Sequence, residues 1–286
     1  MKMKGKTIFN ASFDVFAETY HSVRPGYPAQ LYTDIQEQCG LGSASRLLEI
    51  GAGSGIATVE LAKFGSRIVA IEPGKYLATI AREQCRKYPN IEIREEAFED
   101  FQSSEPFDAI LAFTSFHWLK EDDKYQRVFK LLNEAGYLIL VWNYFFQTDL
   151  PVTIEVNRVY YEFLSDIYPG QKGVHRVNEK VFSVMTRREQ RIIQNPLFYP
   201  VFMRKYLIKY NYNAETYPKL LNTFPKVIAV KEEQRVKFLK RISEIVAKHR
   251  KISVPVLTSL IICQKRNYFL QAVANSRRRN NNERAK

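Results

Sequence analysis

Residues 47–58 read LLEIGAGSGIAT: an apolar run carrying an acid, Glu49, followed by Gly51, Gly53 and Gly55 at alternate positions and then by a helical pattern. A strand that turns at once into a helix needs glycine where the backbone must bend tightly, or approach a ligand with no Cβ in the way. The first N–H groups of the helix beyond are unpaired and carry partial positive charge, which favours anionic ligand groups. Seventeen residues past Gly55 stands Glu72, at the end of the next apolar run, RIVAIE. A carboxylate in that place can accept both ribose hydroxyls of an adenosine-containing cofactor.

Outward from this turn, short apolar runs alternate with amphipathic stretches, the sequence form of βαβ units and a parallel sheet. Strand-like runs occupy 45–50, 67–72, 91–95, 107–113 and 136–142, with helical stretches at about 55–64, 75–87 and 120–132 between them. Ahead of the first strand, Leu31, Ile35 and Cys39 recur at helical spacing and end at Gly40, which suits a C-cap. After Asn143 the pattern becomes Tyr- and Arg-rich: helices at about 151–167 and 178–193 flank a YPGQKG turn, and further helices are expected near 214–222 and 231–248. VFMRKYLIKYNYN (201–213) and SVPVLTSLIICQKR (253–266) have strand character but no glycine loop of their own.

The expected architecture is therefore α/β: a doubly wound, Rossmann-like, seven-stranded sheet with a helical cap inserted after the fifth strand. Residues 1–145, completed by the strands near 201–213 and 253–266, form the core. Residues 146–200 and 214–252 form the cap, and 274–286 form a polar tail.

The 286 residues are 45% hydrophobic and 26% charged, a globular composition. No apolar run approaches the ~18 residues of a membrane helix, and the N-terminus lacks the apolar stretch of a signal peptide, so a soluble, cytoplasmic protein is expected. Cys39, Cys85 and Cys263 have neither metal nor redox spacing, and no metal site is expected. The net charge of +13 is uneven: residues 1–150 hold 16 Lys and Arg against 20 Asp and Glu, a net −4, which leaves +17 on the remainder. Such a basic half attracts phosphates, anionic lipid or an acidic small molecule, or serves only as a solvated face.

A dinucleotide fingerprint, G-x-G-x-x-G, would put its third glycine at Ile56. The spacing E-x-G-x-G-x-G instead resembles motif I of the class I S-adenosylmethionine-dependent methyltransferases. Other stretches resemble one small-molecule branch of that superfamily, similar to trans-aconitate methyltransferases. These are FAETYHSVRPGYP (16–28), AFEDF followed by FDAILAFTSFHWL, and TYPKLLNTFPKVIAVKEEQR near the C-terminus. The last departs from the branch, since Phe224 and Pro225 follow Thr223 where a serine is expected.

The resemblance implies S-adenosylmethionine as cofactor, with Glu49, Gly51, Gly53 and Gly55 at its methionine end and Glu72 on the ribose. Arg24 or Tyr20 would meet its carboxylate or the substrate. Ala97 and Phe98 fall where the family grips adenine with an Asp and the next backbone N–H, so the side-chain bond would be absent unless Glu96 or Glu99 replaces it. His117 is either a general base for a hydroxyl or amine nucleophile or a packing residue beside the cofactor. Trp142, Tyr160 and Tyr161 are core residues or walls of a substrate cavity.

The expected function is methyl transfer to a small, anionic metabolite through a carboxylate or hydroxyl. The alternatives are an RNA-modifying methyltransferase and a non-catalytic cofactor-binding protein. With no separate RNA-binding module in the chain, nucleic acid is not the expected partner.

Overall fold

The computed structural model describes residues 16–121, 123–164 and 174–266. The YPGQKG turn and the polar tail from Ala274 fall outside them. Seven strands form one sheet: β1 (Arg46–Ile50), β2 (Arg67–Ile71), β3 (Ile91–Arg94), β4 (Phe107–Phe113), β5 (Leu132–Phe145), β6 (Phe198–Tyr212) and β7 (Ile252–Lys265). Their order is β3-β2-β1-β4-β5-β7-β6. The first five run parallel, while β7 is antiparallel to both β5 and β6. The chain reverses direction across the sheet between β1 and β4, and ligands of open α/β sheets bind outside the carboxyl ends of strands at such a point.

The central strands are apolar throughout because both faces are covered. Leu48 and Ile50 face one layer with Val128, Met185 and Ile192, whereas Leu47 faces the other with Leu31, Ile35 and Leu61. Helix α1 spans Ala17–Val23, and α2 spans Ala29–Cys39, closing on Gly40 in the left-handed region at φ 62°. The stretch after the glycines is a short α3 (Thr58–Leu61) continued as a 3₁₀ turn, and α4 spans Lys75–Cys85.

β5 starts earlier than the apolar run suggests. Helix α5 (Lys124–Leu131) ends at the residue before Leu132, which pairs with Phe107. The register then shifts, and regular pairing resumes at Ala109 with Tyr137. The polar residues Asn133 and Glu134 hid this strand start.

Beyond β5 follow α6 (Pro151–Leu164) and α7 (Val174–Ile193), and, between β6 and β7, α8 (Thr216–Leu221), α9 (Pro225–Ile228) and α10 (Glu232–Lys248). A separate apolar cluster joins Val152 and Val156 of α6, Leu220 of α8 and Phe238 and Ile242 of α10 to the ends of β6 and β7 at Tyr212 and Val254. No helix among the described residues is long and apolar enough to cross a membrane.

Candidate active site

The turn after β1 takes its shape from two of its three glycines. Gly51 sits at φ 70°, and a Cβ there would lie 2.6 Å from the Ser115 Cβ. Gly55, at φ 83°, backs onto Ala81 of α4, whose Cα would be 3.2 Å from an added Cβ. Gly53, at φ 59°, has open space where its side chain would be. Gly51 and Gly53 therefore border a cleft, whereas Gly55 is buried and fixes the packing of α3 against α4.

That cleft has a volume of about 310 Å³ and lies across the carboxyl ends of β1, β2, β4 and β5. Glu72, at the end of β2, reaches back into it. Its Oε2 accepts the Gly53 N–H at 2.9 Å and its Oε1 accepts the Gly74 N–H at 2.9 Å. Ala97 and Phe98 form a wall together with Leu77, and Glu96 and Glu99 border the same cleft. Phe98 is otherwise a core residue, with Arg127 over its ring and bonded to its carbonyl.

The segment carrying Tyr20 and Arg24 straps the other side of the glycine turn. His21 Nδ1 lies 3.1 Å from Ser54 Oγ, Tyr27 Oη lies 3.2 Å from Thr114 Oγ1, and Asn143 Nδ2 donates to the Gly26 carbonyl. Thr114 holds φ at 56°, which is unusual for a β-branched residue. Its N–H donates to the Val141 carbonyl and its hydroxyl accepts the Asn143 N–H. The strap thus grips a strained residue directly beside the cleft.

Arg24 donates through Nε to the Thr223 hydroxyl and through Nη2 to the Thr223 carbonyl, both at 2.9 Å. Its guanidinium lies 4.5 Å from the Phe224 ring centroid and 5.0 Å from that of Tyr20. No carboxylate pairs with it among the described residues, and burial lowers its pKa. Glu49 lies in a small recess of about 50 Å³ that Arg24, Gly51 and Gly53 share. It is fully buried, and neither oxygen has a donor at hydrogen-bonding geometry, although Thr58 is near. Burial pushes its carboxyl up to about 8, an effect that Thr58 offsets in part and the Glu72 charge reinforces.

His117 sits in a 3₁₀ turn after β4, half-buried and bordering the cleft, with its ring 4.8 Å from that of Trp118. Trp142 is core. Across the cleft, Arg188 of α7 lies over it at 5.9 Å and over Tyr144 at 5.6 Å. Tyr160 and Tyr161 border a second cavity.

Residues 48–140, from β1 into β5, match the family model of a methyltransferase domain. An uncharacterized methyltransferase of Bacillus mycoides (strain KBAB4) is 30% identical over 211 residues, 69% of this chain and 93% of that protein. This chain belongs to the class I S-adenosylmethionine-dependent methyltransferases. A Dictyostelium discoideum protein named as a methyltransferase is 32% identical over 168 residues, 57% of this chain and 61% of that relative. In fold, the enzyme is similar to a type II methyltransferase structure from Anaeromyxobacter dehalogenans, with TM-score 0.56 at 17% identity, covering 85% of this chain and 97% of that one.

The chemistry of the site suits that cofactor. The methyltransferase offers an orphaned buried carboxyl at Glu49 for an ammonium group and a cationic Arg24 beside it for a carboxylate. Gly53 leaves room for a ligand, and the Glu72 carboxylate borders the cleft as a hydrogen-bond acceptor suited to hydroxyls. Ala97 offers adenine no side-chain acceptor, while Glu96 and Glu99 border the cleft close by.

Thr114, Asn143, Arg188, Thr223 and Phe224 were not singled out for these places by their sequence context. The strand-end position of Thr114 was a usable signal, but Arg188 stands in a helix crowded with basic residues and had none.

Proposed function

We propose that this methyltransferase acts on a small anionic acceptor held in the cleft opposite the glycine turn. The observation that carries this reading is Arg188. It borders the cleft over two aromatic rings, with no carboxylate within ion-pair distance among the described residues. A guanidinium that borders a cleft without a carboxylate partner suits a ligand that brings negative oxygen, since hydrogen bonds between ionised groups are roughly twice as strong as neutral ones. The helices α6 to α10 act as the cap, and α7 presents this cation.

S-adenosylmethionine supplies a methyl group on positively charged sulfur, a good leaving group that needs no metal. The residues then have four tasks. Glu49 and Arg24 grip the ammonium and carboxylate of the methionine end, with Tyr20 alongside. Gly53 lets the backbone approach the cofactor, while Gly51 makes room for Ser115 and Gly55 holds the turn against α4. Glu72 takes the ribose hydroxyls, and Ala97 with Phe98 forms the adenine slot. Arg188 orients the acceptor while Trp118 and Leu119 exclude water, so that proximity and orientation carry the rate. A carboxylate nucleophile needs no base, which leaves His117 a wall, whereas a hydroxyl acceptor would make it the proton acceptor.

Incubating the protein with methyl-labelled cofactor, a metabolite extract and cellular RNA tests the reading. Label is expected in a small, base-labile methyl ester. A stable ether or N-methyl product would reject the carboxylate, and label in RNA alone would reject the small-molecule class.

Glu49 gives a separate expectation in pH. Its carboxyl, ordinarily near 4.5, titrates near 8 in the folded protein. Between those values the folded, cofactor-free state holds a proton that the unfolded chain has released, so stability falls as pH rises through this window. The melting temperature should decline over that interval, and Glu49→Gln should flatten the decline. Affinity for S-adenosylhomocysteine should change the opposite way, strengthening toward pH ~8 by at most about tenfold per unit for one proton. Calorimetry across the pH range checks both, and a pH-independent affinity would place the ammonium away from Glu49.

A further inference from the structure

A second cavity of about 200 Å³ lies beyond the cleft, and the two share the rings of Phe145 and Phe224 as a partition. These rings meet edge to face, 5.2 Å apart at 90°, and Arg24 stacks on the Phe224 side. The cavity opens to solvent and is bordered by α6, the start of α7, α8 and the start of β7. No charged side chain lines it among the described residues; its walls include Phe146, Tyr160, Tyr161 and Tyr217.

One edge is polar and fixed. Gln147 Nε2 donates to Asn157 Oδ1 at 2.7 Å, and Asn157 Nδ2 donates to Gln147 Oε1 at 2.8 Å. Asn178 holds the Gln147 backbone on both sides, accepting from its N–H and donating to its carbonyl at 2.9 Å each. Each amide therefore faces in one direction, with one N–H and one lone pair not used by its partner. An uncharged aromatic chamber with a rigid amide edge is poorly matched to an anion and well matched to a flat ring bearing one hydrogen-bonding group. Its size is sufficient, since an apolar cavity of ~150 Å³ takes up benzene.

We infer that this cavity is the compartment for the ring of the methyl acceptor, reached past Phe145 and Phe224, while the anionic end stays in the cleft under Arg188. The acceptor is then an aromatic acid and not an aliphatic dicarboxylate. This rests on the anionic-acceptor reading above for the acid, but the ring compartment can be tested without turnover.

Indole is the probe, followed by saturation-transfer NMR in the presence of S-adenosylhomocysteine. Ser253 lies on β7 at the cavity wall, half-buried, where an aromatic residue suits the strand, so Ser253→Phe should fill the space. Indole affinity should fall by about tenfold or more in Ser253→Phe, while S-adenosylhomocysteine binds within about twofold of the parent. Tyr161→Ala, at a half-buried position of the same wall, should also weaken indole and guards against a misfolded first variant. In the labelled-methyl assay the product should carry a ring chromophore, and Ser253→Phe should cut its formation by about tenfold.

Equal indole binding in all three proteins would overturn the assignment. So would a ringless product, or one formed equally well by Ser253→Phe. If indole binding depends on the cavity but the labelled product is neither a base-labile methyl ester nor a molecule that keeps a carboxylate, the ring compartment stands and the anionic-acceptor reading falls.

Discussion

Glu72→Ala is expected to weaken binding of S-adenosylhomocysteine by about 10²-fold or more, because hydrogen bonds to a charged group are worth about 1.5–3 kcal/mol each and this carboxylate supports several. Its two oxygens hold the Gly53 and Gly74 N–H groups at 2.9 Å. Removing it unties a turn whose Gly53 already occupies the left-handed region and, on the proposed cofactor placement, also removes the acceptor for the ribose hydroxyls. The effect should therefore exceed that of one lost ribose contact. Glu72→Gln keeps one oxygen acceptor but presents an NH₂ group to the second backbone N–H, so its loss should be intermediate. The fold should survive, since the strands on either side are anchored by Ile71 and Ile50 in the core. Calorimetry with the demethylated cofactor and a thermal melt separate the two effects. An alanine variant that binds within about threefold of the parent would mean the ribose lies elsewhere.

The same residue shows how far the sequence could be read. A carboxylate at the end of the second strand, seventeen residues beyond a glycine turn, is a local signal, and so are the alternating apolar runs that became β1 to β5. Gly40 and the helix before it were also legible, because a C-cap and an i, i+4 pair are set within a few residues. Gly53 and Gly55 look alike in sequence, yet one borders the cleft and the other abuts Ala81, a distinction made by a helix more than twenty residues away. The places of Arg188 and Thr223 depend on contacts of still longer range. Thr223 meets Arg24 across 199 residues, and Phe224 beside it closes on Phe145 as the partition between the cavities. Charge counting found the basic half but could not tell a solvated lysine from a guanidinium in the cleft.

Arg188→Met should lower kcat/KM for the anionic acceptor by about 10² to 10³-fold, in the range of about 2–5 kcal/mol found when one member of a buried, hydrogen-bonded charge pair is truncated. Methionine keeps much of the apolar stem over Trp142 and Tyr144, so lost packing is limited and the missing charge dominates. S-adenosylhomocysteine should bind as before, which separates Arg188 from Arg24, whose loss should weaken the cofactor itself. His117→Ala then reports the nucleophile. A carboxylate is already deprotonated near neutral pH, so turnover should remain within about tenfold of the parent and the pH profile should keep its shape. For a hydroxyl acceptor a proton must leave in the transition state, and the same variant should lose about 10²-fold or more and its neutral-pH inflection. A large loss in His117→Ala combined with little effect of Arg188→Met would therefore reverse the assignment, making the acceptor a neutral alcohol or amine and the guanidinium a surface cation stacked on two aromatic rings.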